Sequence, residues 1–314
     1  MGVPLFSPPP YAPYAAGVDL GTVQVMPTGT NVIYCRSIGP QSYDPPALTG
    51  KIVATLSAAL AQCRANLYDT VVCLPGHTES VADNTMLTNL VAGTRIVGVG
   101  RGGNMPVFRW TDTASQWIMN DADVVVSGLR LRMEGANGVV KAIALTGADN
   151  RIEGCDIEVA SGATAKATIA IEISTGGARA AIVGNRFRGT ATHNVTDGVL
   201  VAAVLDGVRI CDNEMLFSAT AANGLIRVGA VAATSLMIAR NIMLNTHTAS
   251  SACIALGAAA MTGIVAYNAM GVLNDATVTD QGITFGAGAL VRCFRNDTCD
   301  EPIKSGTLTP AAGT

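Results

Sequence analysis

The chain has little of what most catalytic and nucleic-acid-binding proteins depend on. Aromatic residues make up 4% of its 314 residues and charged residues 14%. Glycan grooves normally stack sugars on aromatic rings, and here the only two tryptophans, Trp110 and Trp117, sit close together. The formal net charge is −3 with no basic stripe, which excludes a surface built to neutralise a phosphate backbone, so no nucleic-acid partner is expected. The 8 cysteines, at 35, 63, 73, 155, 211, 253, 293 and 299, include no CxxC pair. Finger-like and ribbon-like metal sites are thereby excluded, and the expectation is buried thiols with no metal and no cofactor. No stretch of about 18 apolar residues suggests a membrane span. The N-terminal residues carry many prolines and no basic segment before an apolar one, so they read as something other than a secretory signal, and folding in a reducing cytoplasm is expected.

What the chain has instead is 49% hydrophobic residues and 34 glycines, with small and β-branched side chains through its middle. That composition suits stacked strands better than packed helices. One short pattern recurs: apolar, any, Gly or polar, Asn, any, apolar. It is found at Ile182 to Phe187, Ile210 to Met215, Ile238 to Met243, Val265 to Met270 and Cys293 to Thr298. The marker residues Asn185, Asn213, Asn241, Asn268 and Asn296 are 28, 28, 27 and 28 residues apart. Leu129 and Cys155 hold the same place in two upstream copies, and a second apolar run lies between successive markers. Strand-rich repeats of this length predict an all-β, right-handed parallel β-helix in which each coil pairs in register with the next. Some eight coils would give a rod of roughly 40 Å.

The repeat assigns positions. Three residues before the marker stand Val126, Ile152, Ile182, Ile210, Ile238, Val265 and Cys293, an apolar column predicted to face the interior. The Asn side chains are expected to form a structural ladder along the rod, the Asn itself taking the left-handed turn conformation. One residue after the marker come Arg130, Asp156, Arg186 and Glu214, whose alternating signs should pair across coils. Four residues before it, Val125, Met237 and Ile264 alternate with Arg151, Arg209 and Arg292 on the outside, a mixed stripe suited to burial in a homotrimer.

Open β-coils must be covered at their ends. Residues 53–65 place Leu56, Ala59, Leu60 and Cys63 at helical spacing, which predicts a capping helix. The domain reading is a Pro-rich extended arm over 1–30, the β-helix over 31–300 and a tail over 301–314. Within the arm, Pro8, Pro9 and Pro10 favour an extended path, while Leu5, Phe6, Tyr11 and Tyr14 offer apolar and aromatic contacts, so the arm reads as an attachment element.

The order of a Cys/Tyr-containing strand, SAALAQC, DTVVCLPGHTES and TRIVGVGRGGNMPVFRW resembles the N-terminal part of pectin-lyase-like β-helix proteins of tailed bacteriophages, over about residues 30–135. That resemblance implies the fold and suggests a virion protein. The family includes capsid decoration proteins, tailspikes and polysaccharide lyases, so the job stays open on this ground alone.

Glycan cleavage needs paired carboxylates as acid and base, and this chain has no DD, GHG or RIK element. Asp297, Asp300 and Glu301 read as solvated charge more readily than as an ion site. His77 has Glu79 close enough to orient it, but the expected role is a turn after a strand with His77 bonded to backbone. His193 and His247 fall about two coils apart, too far to share a metal. No cysteine has a His and Asn in a recognisable nucleophile arrangement. The GVGRGGN stretch from Gly98 to Asn104 lacks the Gly-Lys-Ser/Thr end of a phosphate loop and reads as a turn. Trp110 and Trp117 are either an exposed pair forming a modest binding site or core beneath the cap. The expectation is therefore no catalytic residue. The chain reads as a non-enzymatic decoration (cement) protein on the exterior of a phage capsid, binding the major capsid protein and itself as a trimer, with no membrane partner. The alternative is a tailspike or tail-fibre adhesin or depolymerase that recognises host-surface polysaccharide.

Overall fold

The computed structural model describes residues 31–39, 41, 50–135, 138–161, 164–189, 194–220, 223–247, 252–257, 259–272 and 282–299. The proposed arm, the tail, His193, Asp300 and Glu301 lie outside the described residues.

Among the described residues the chain winds as a parallel β-helix with three sheets of 12, 7 and 10 strands, and the strand pairs are parallel. Seven coils are three-sided, one fewer than expected, because at the N-terminal end the first and third sheets continue past the second. The predicted registers hold. Val126, Ile152, Ile182, Ile210, Ile238, Val265 and Cys293 stack in one column of the first sheet. All are fully buried except Cys293, which is half-buried because its strand, Ala289–Phe294, is the last of that sheet. The stripe on the same sheet is also in register, from Val125 through Arg151, Ala181, Arg209, Met237 and Ile264 to Arg292, with every arginine of the stripe exposed.

The Asn ladder is present, but its backbone differs from expectation. The left-handed residue is the one before the marker: Gly128, Gly154 and Gly184, then Asp212, Arg240, Tyr267 and Arg295, with φ between 51° and 67°. Glycine meets that turn without strain, and the four later residues adopt it against a steric cost. The marker Asn turns inward instead. Asn213 Oδ1 accepts from both the backbone N–H (2.9 Å) and Nδ2 (3.1 Å) of Asn185, and Asn213 Nδ2 donates to the Ile182 carbonyl (2.9 Å) and Asn241 Oδ1 (2.9 Å). The same set repeats at Asn241 and Asn268, while Asn296, on the last rung, accepts from Asn268 and donates to the Val265 carbonyl. Each side chain thus satisfies a backbone donor that the tight corner removes from the sheet.

The cap is a helix of five residues, Leu56–Leu60, shorter than 53–65. Thr55 Oγ1 accepts from the Ala58 N–H at its start. At its end the Gln62 and Cys63 N–H groups bond three residues back, tightening the last turn so that the helix stops. Leu56, Ala59 and Leu60 are buried and Cys63 is half-buried, so the apolar face is the predicted one. The helix packs on the first strand Val32–Cys35 and on its neighbours Ile52–Val53 and Thr70–Cys73. Trp110 and Trp117 are fully buried, with ring centroids 5.0 Å apart. Their indole N–H groups reach the Ala142 carbonyl and Met86 Sδ. They are core, not a sugar platform. Gly102–Asn104 forms an exposed turn. Gly98 is required by close approach, since a Cβ there would lie 2.3 Å from the Gly128 carbonyl oxygen.

Candidate functional site

The chemistry-bearing side chains collect in three places. The first is the outer face of the third sheet. Arg130, Asp156, Arg186 and Glu214 occupy successive coils in one register, as predicted. Asp156 is gripped from two sides, by Arg130 Nε (3.2 Å) and by Arg188, whose Nε donates at 2.9 Å from two residues along the next strand. Arg186 pairs with Glu214 (3.4 Å). Beside them Arg132 bridges Glu158 (2.8 Å) and Glu134 (2.9 Å), and Arg109 reaches Glu134 (3.8 Å). The result is a lattice in which Asp156, Glu158, Glu134 and Glu214 are each held by a guanidinium. Pairs this exposed contribute about 0–1 kcal/mol each.

The second lies on the second sheet, in a run between markers that the repeat does not single out. Lys141, Ile169 and Asp197 share one register column, and Glu172, Leu200 and Arg227 share another. Asp197 and Glu172 are buried, while Lys141 and Arg227 reach solvent. Burial raises the Asp197 carboxyl above its ordinary value, against the Arg227 bonds that lower it, and the Glu172 charge adds to the rise. A raised carboxyl next to a second carboxylate is how an acid–base pair begins. Here both oxygens of Asp197 are taken by the Arg227 fork (2.7 and 2.6 Å), and Lys141 holds Glu172 at 2.8 Å. No aromatic residue accompanies the pair among these register partners.

The third lies under the cap. His77 is fully buried at the end of the turn that precedes the strand Thr78–Val81. Its ring partner is not backbone, as expected, but the Glu79 carboxylate, 3.1 Å from Nε2. The same oxygen, Glu79 Oε2, accepts the Leu56 N–H at 2.8 Å and so anchors the first residue of the cap helix. Cys35, 42 residues earlier, brings its sulfur to 3.8 Å from Nδ1 and 3.7 Å from Nε2. Cys73 is the register partner of Cys35 on the adjacent coil. Its hydrogen bond lowers the Cys35 thiol to about 6 against the effect of burial, with His77 adding to the shift. Burial alone would lower His77, but its bonds to Cys35 and Glu79 raise it to about 9. Both shifts favour the charged pair, a thiolate beside an imidazolium. A nucleophile and its base must be aligned and open to substrate. The sulfur is about equally far from both ring nitrogens, and Cys35 is fully buried, which leaves a substrate no open approach to it. Cys35, His77 and Glu79 do place one sulfur, one nitrogen and one oxygen within 4.8 Å of one another.

The remaining candidates stay apart. His247 is buried far along the rod, and Asp297 is exposed on the last strand of the third sheet. Seven cysteines are free among the described residues, five of them buried. No described helix is long and apolar enough to cross a membrane.

No protein-family model matches the chain, and no curated protein matches it. Among solved structures it is similar to a GH136 lacto-N-biosidase from Eubacterium ramulus, with 9% identity and a TM-score of 0.44 over 85% of this chain and 67% of that one.

Proposed function

We propose that the chain is a non-enzymatic structural protein of a phage particle. In this reading it is a decoration (cement) protein that lies on the capsid exterior as a stiff rod and binds the major capsid protein through residues 1–30. The observation that carries the reading is the locked outer face. Asp156, Glu158 and Glu214 are each held by arginine across coils, and Glu134 by Arg132 on its own coil, whereas glycosidic cleavage needs a carboxylate free to give and take a proton. The placement on a virion rests on the sequence resemblance, and the role of the arm on its prolines and interspersed Leu5, Phe6, Tyr11 and Tyr14. A pre-extended arm loses little conformational entropy on docking, and several arms per oligomer would add avidity. The exposed arginines and apolar residues of the first-sheet stripe are the surface assigned to self-association as a trimer. Deleting residues 2–20 should leave circular dichroism and oligomeric state unchanged while abolishing binding to particles that lack the protein. Equal decoration by the truncated chain would move the anchor to the solenoid face.

The buried Asp197–Glu172 pair favours a second reading, a tail-associated adhesin or depolymerase. It would be promoted by release of reducing or unsaturated sugar ends from host capsular or lipopolysaccharide glycans above a boiled control, lost in Asp197→Asn.

A further inference from the structure

We propose that Cys35, His77 and Glu79 bind one structural Zn2+ that clamps the cap to the first coils. The argument begins with the donors. Thiolate sulfur, imidazole nitrogen and carboxylate oxygen are the three ligand types Zn2+ takes, at about 2.3 Å for sulfur and about 2.0–2.2 Å for nitrogen and oxygen. A tetrahedron with those radii has edges of roughly 3.6 Å from sulfur to nitrogen and roughly 3.3 Å from nitrogen to oxygen. The corresponding separations are 3.7 Å and 3.1 Å. A rotation of the imidazole would aim Nε2 between the sulfur and the carboxylate, and a water would take the fourth position.

Charge points the same way. One thiolate, one carboxylate and a neutral imidazole balance Zn2+ to zero, which suits a site where Cys35, Cys73 and His77 are fully buried. Cys73, the register partner of Cys35 on the adjacent coil, is placed to support the metal-bound sulfur by hydrogen bonding, as outer partners of metal ligands commonly do.

The position gives the ion a job. Cys35 ends the first strand, His77 and Glu79 flank the start of Thr78–Val81, and Glu79 also holds Leu56 of the cap helix. These segments are distant in sequence and join where the coil is incomplete, so a shared ion would fix the end that stacking leaves open. Metal binding at such a site is folding free energy.

The test uses the full chain, purified without chelator or polyhistidine tag. About one zinc per chain is expected by elemental analysis, released on unfolding in the presence of a chromogenic chelator. Protein refolded with Co2+ should show a thiolate-to-cobalt charge-transfer band in the near ultraviolet and tetrahedral bands in the visible. Cys35→Ser should lose the charge-transfer band, and Cys211→Ser, at a buried thiol farther along the rod, should keep it. Should Cys35→Ser fail to fold, the cobalt spectrum of the unaltered chain decides alone. Well-folded protein that holds neither zinc nor cobalt after refolding with each would overturn the site and leave a thiolate–imidazolium pair in its place.

Discussion

Replacing Asn213 by alanine isolates the contribution of one rung of the ladder. The Asn185 N–H, which is buried, loses its acceptor outright, and an orphaned buried donor costs about 1–3 kcal/mol. The two bonds donated by Asn213 Nδ2, to Ile182 and Asn241, also vanish, at a net of about 0.5–1.5 kcal/mol each. Asn185 Nδ2 keeps the Ile152 carbonyl, and Asn241 Oδ1 keeps the Asn213 N–H, so neither adds an orphan. The expected loss is roughly 2–6 kcal/mol. Denaturant unfolding followed by circular dichroism measures it, with hydrogen exchange at the Asn185 amide as a local readout, because coil arrays need not unfold in one step. Asn213→Asp should do no better, since its second oxygen would face the Ile182 carbonyl and Asn241 Oδ1. Asn296→Ala supplies the contrast: it is half-buried on the last rung, where water can replace the side chain, and should lose less. A loss below about 1 kcal/mol at Asn213, or one equal to that at Asn296, would refute the view that the ladder satisfies donors the sheets leave unpaired.

Ile210→Asp places a charge in the fully buried column; the variant should aggregate or fail to fold, and a soluble protein with unchanged melting would contradict the interior assignment. Asp69 is buried and accepts from Asn31 N, Arg64 N and the Arg64 guanidinium; those bonds outweigh the effect of burial and hold its carboxyl below the ordinary value. Its stabilisation is present above the unfolded value near 3.9 and is lost as pH falls through the lower folded one. Asp69→Asn should therefore melt earlier than the parent at neutral pH, with the gap closing on acidification; a gap that persists at about pH 2 would refute this account of Asp69.

The repeat alone makes the fold and much of its register legible. Once Asn185, Asn213, Asn241, Asn268 and Asn296 are aligned, the interior column, the Arg130-to-Glu214 row and the stripe from Val125 to Arg292 follow by counting. The left-handed corner was missed because Gly184, Asp212, Arg240 and Tyr267 share a backbone conformation and no side-chain chemistry. The Asp197–Glu172 cluster was missed because its strands carry no marker, leaving nothing to fix which residues meet. Cys35 and His77 meet across 42 residues where the repeat has not yet begun. Their pairing depends on the first strand lying beside Thr70–Cys73, a parallel contact that periodicity cannot supply. Glu79 was legible as a partner for His77 from spacing, but its second role at Leu56 required the cap in place.

The ladder has a consequence for how such a molecule changes size. Each Asn bonds to its counterparts one coil away, and in the first-sheet column Ile182, Ile210, Ile238 and Val265 differ by no more than a methylene. Excising Asn213 to Arg240 would set Asn241 directly after Asp212, with Glu214 and its neighbours replaced by Ile242 and its own, and every rung would still find a rung. Cutting a few residues more or less would turn interior side chains outward. Length in this architecture is therefore counted in whole coils, about 4.8 Å at a time, and lineages of such rods should differ by steps of one repeat and not by gradual drift.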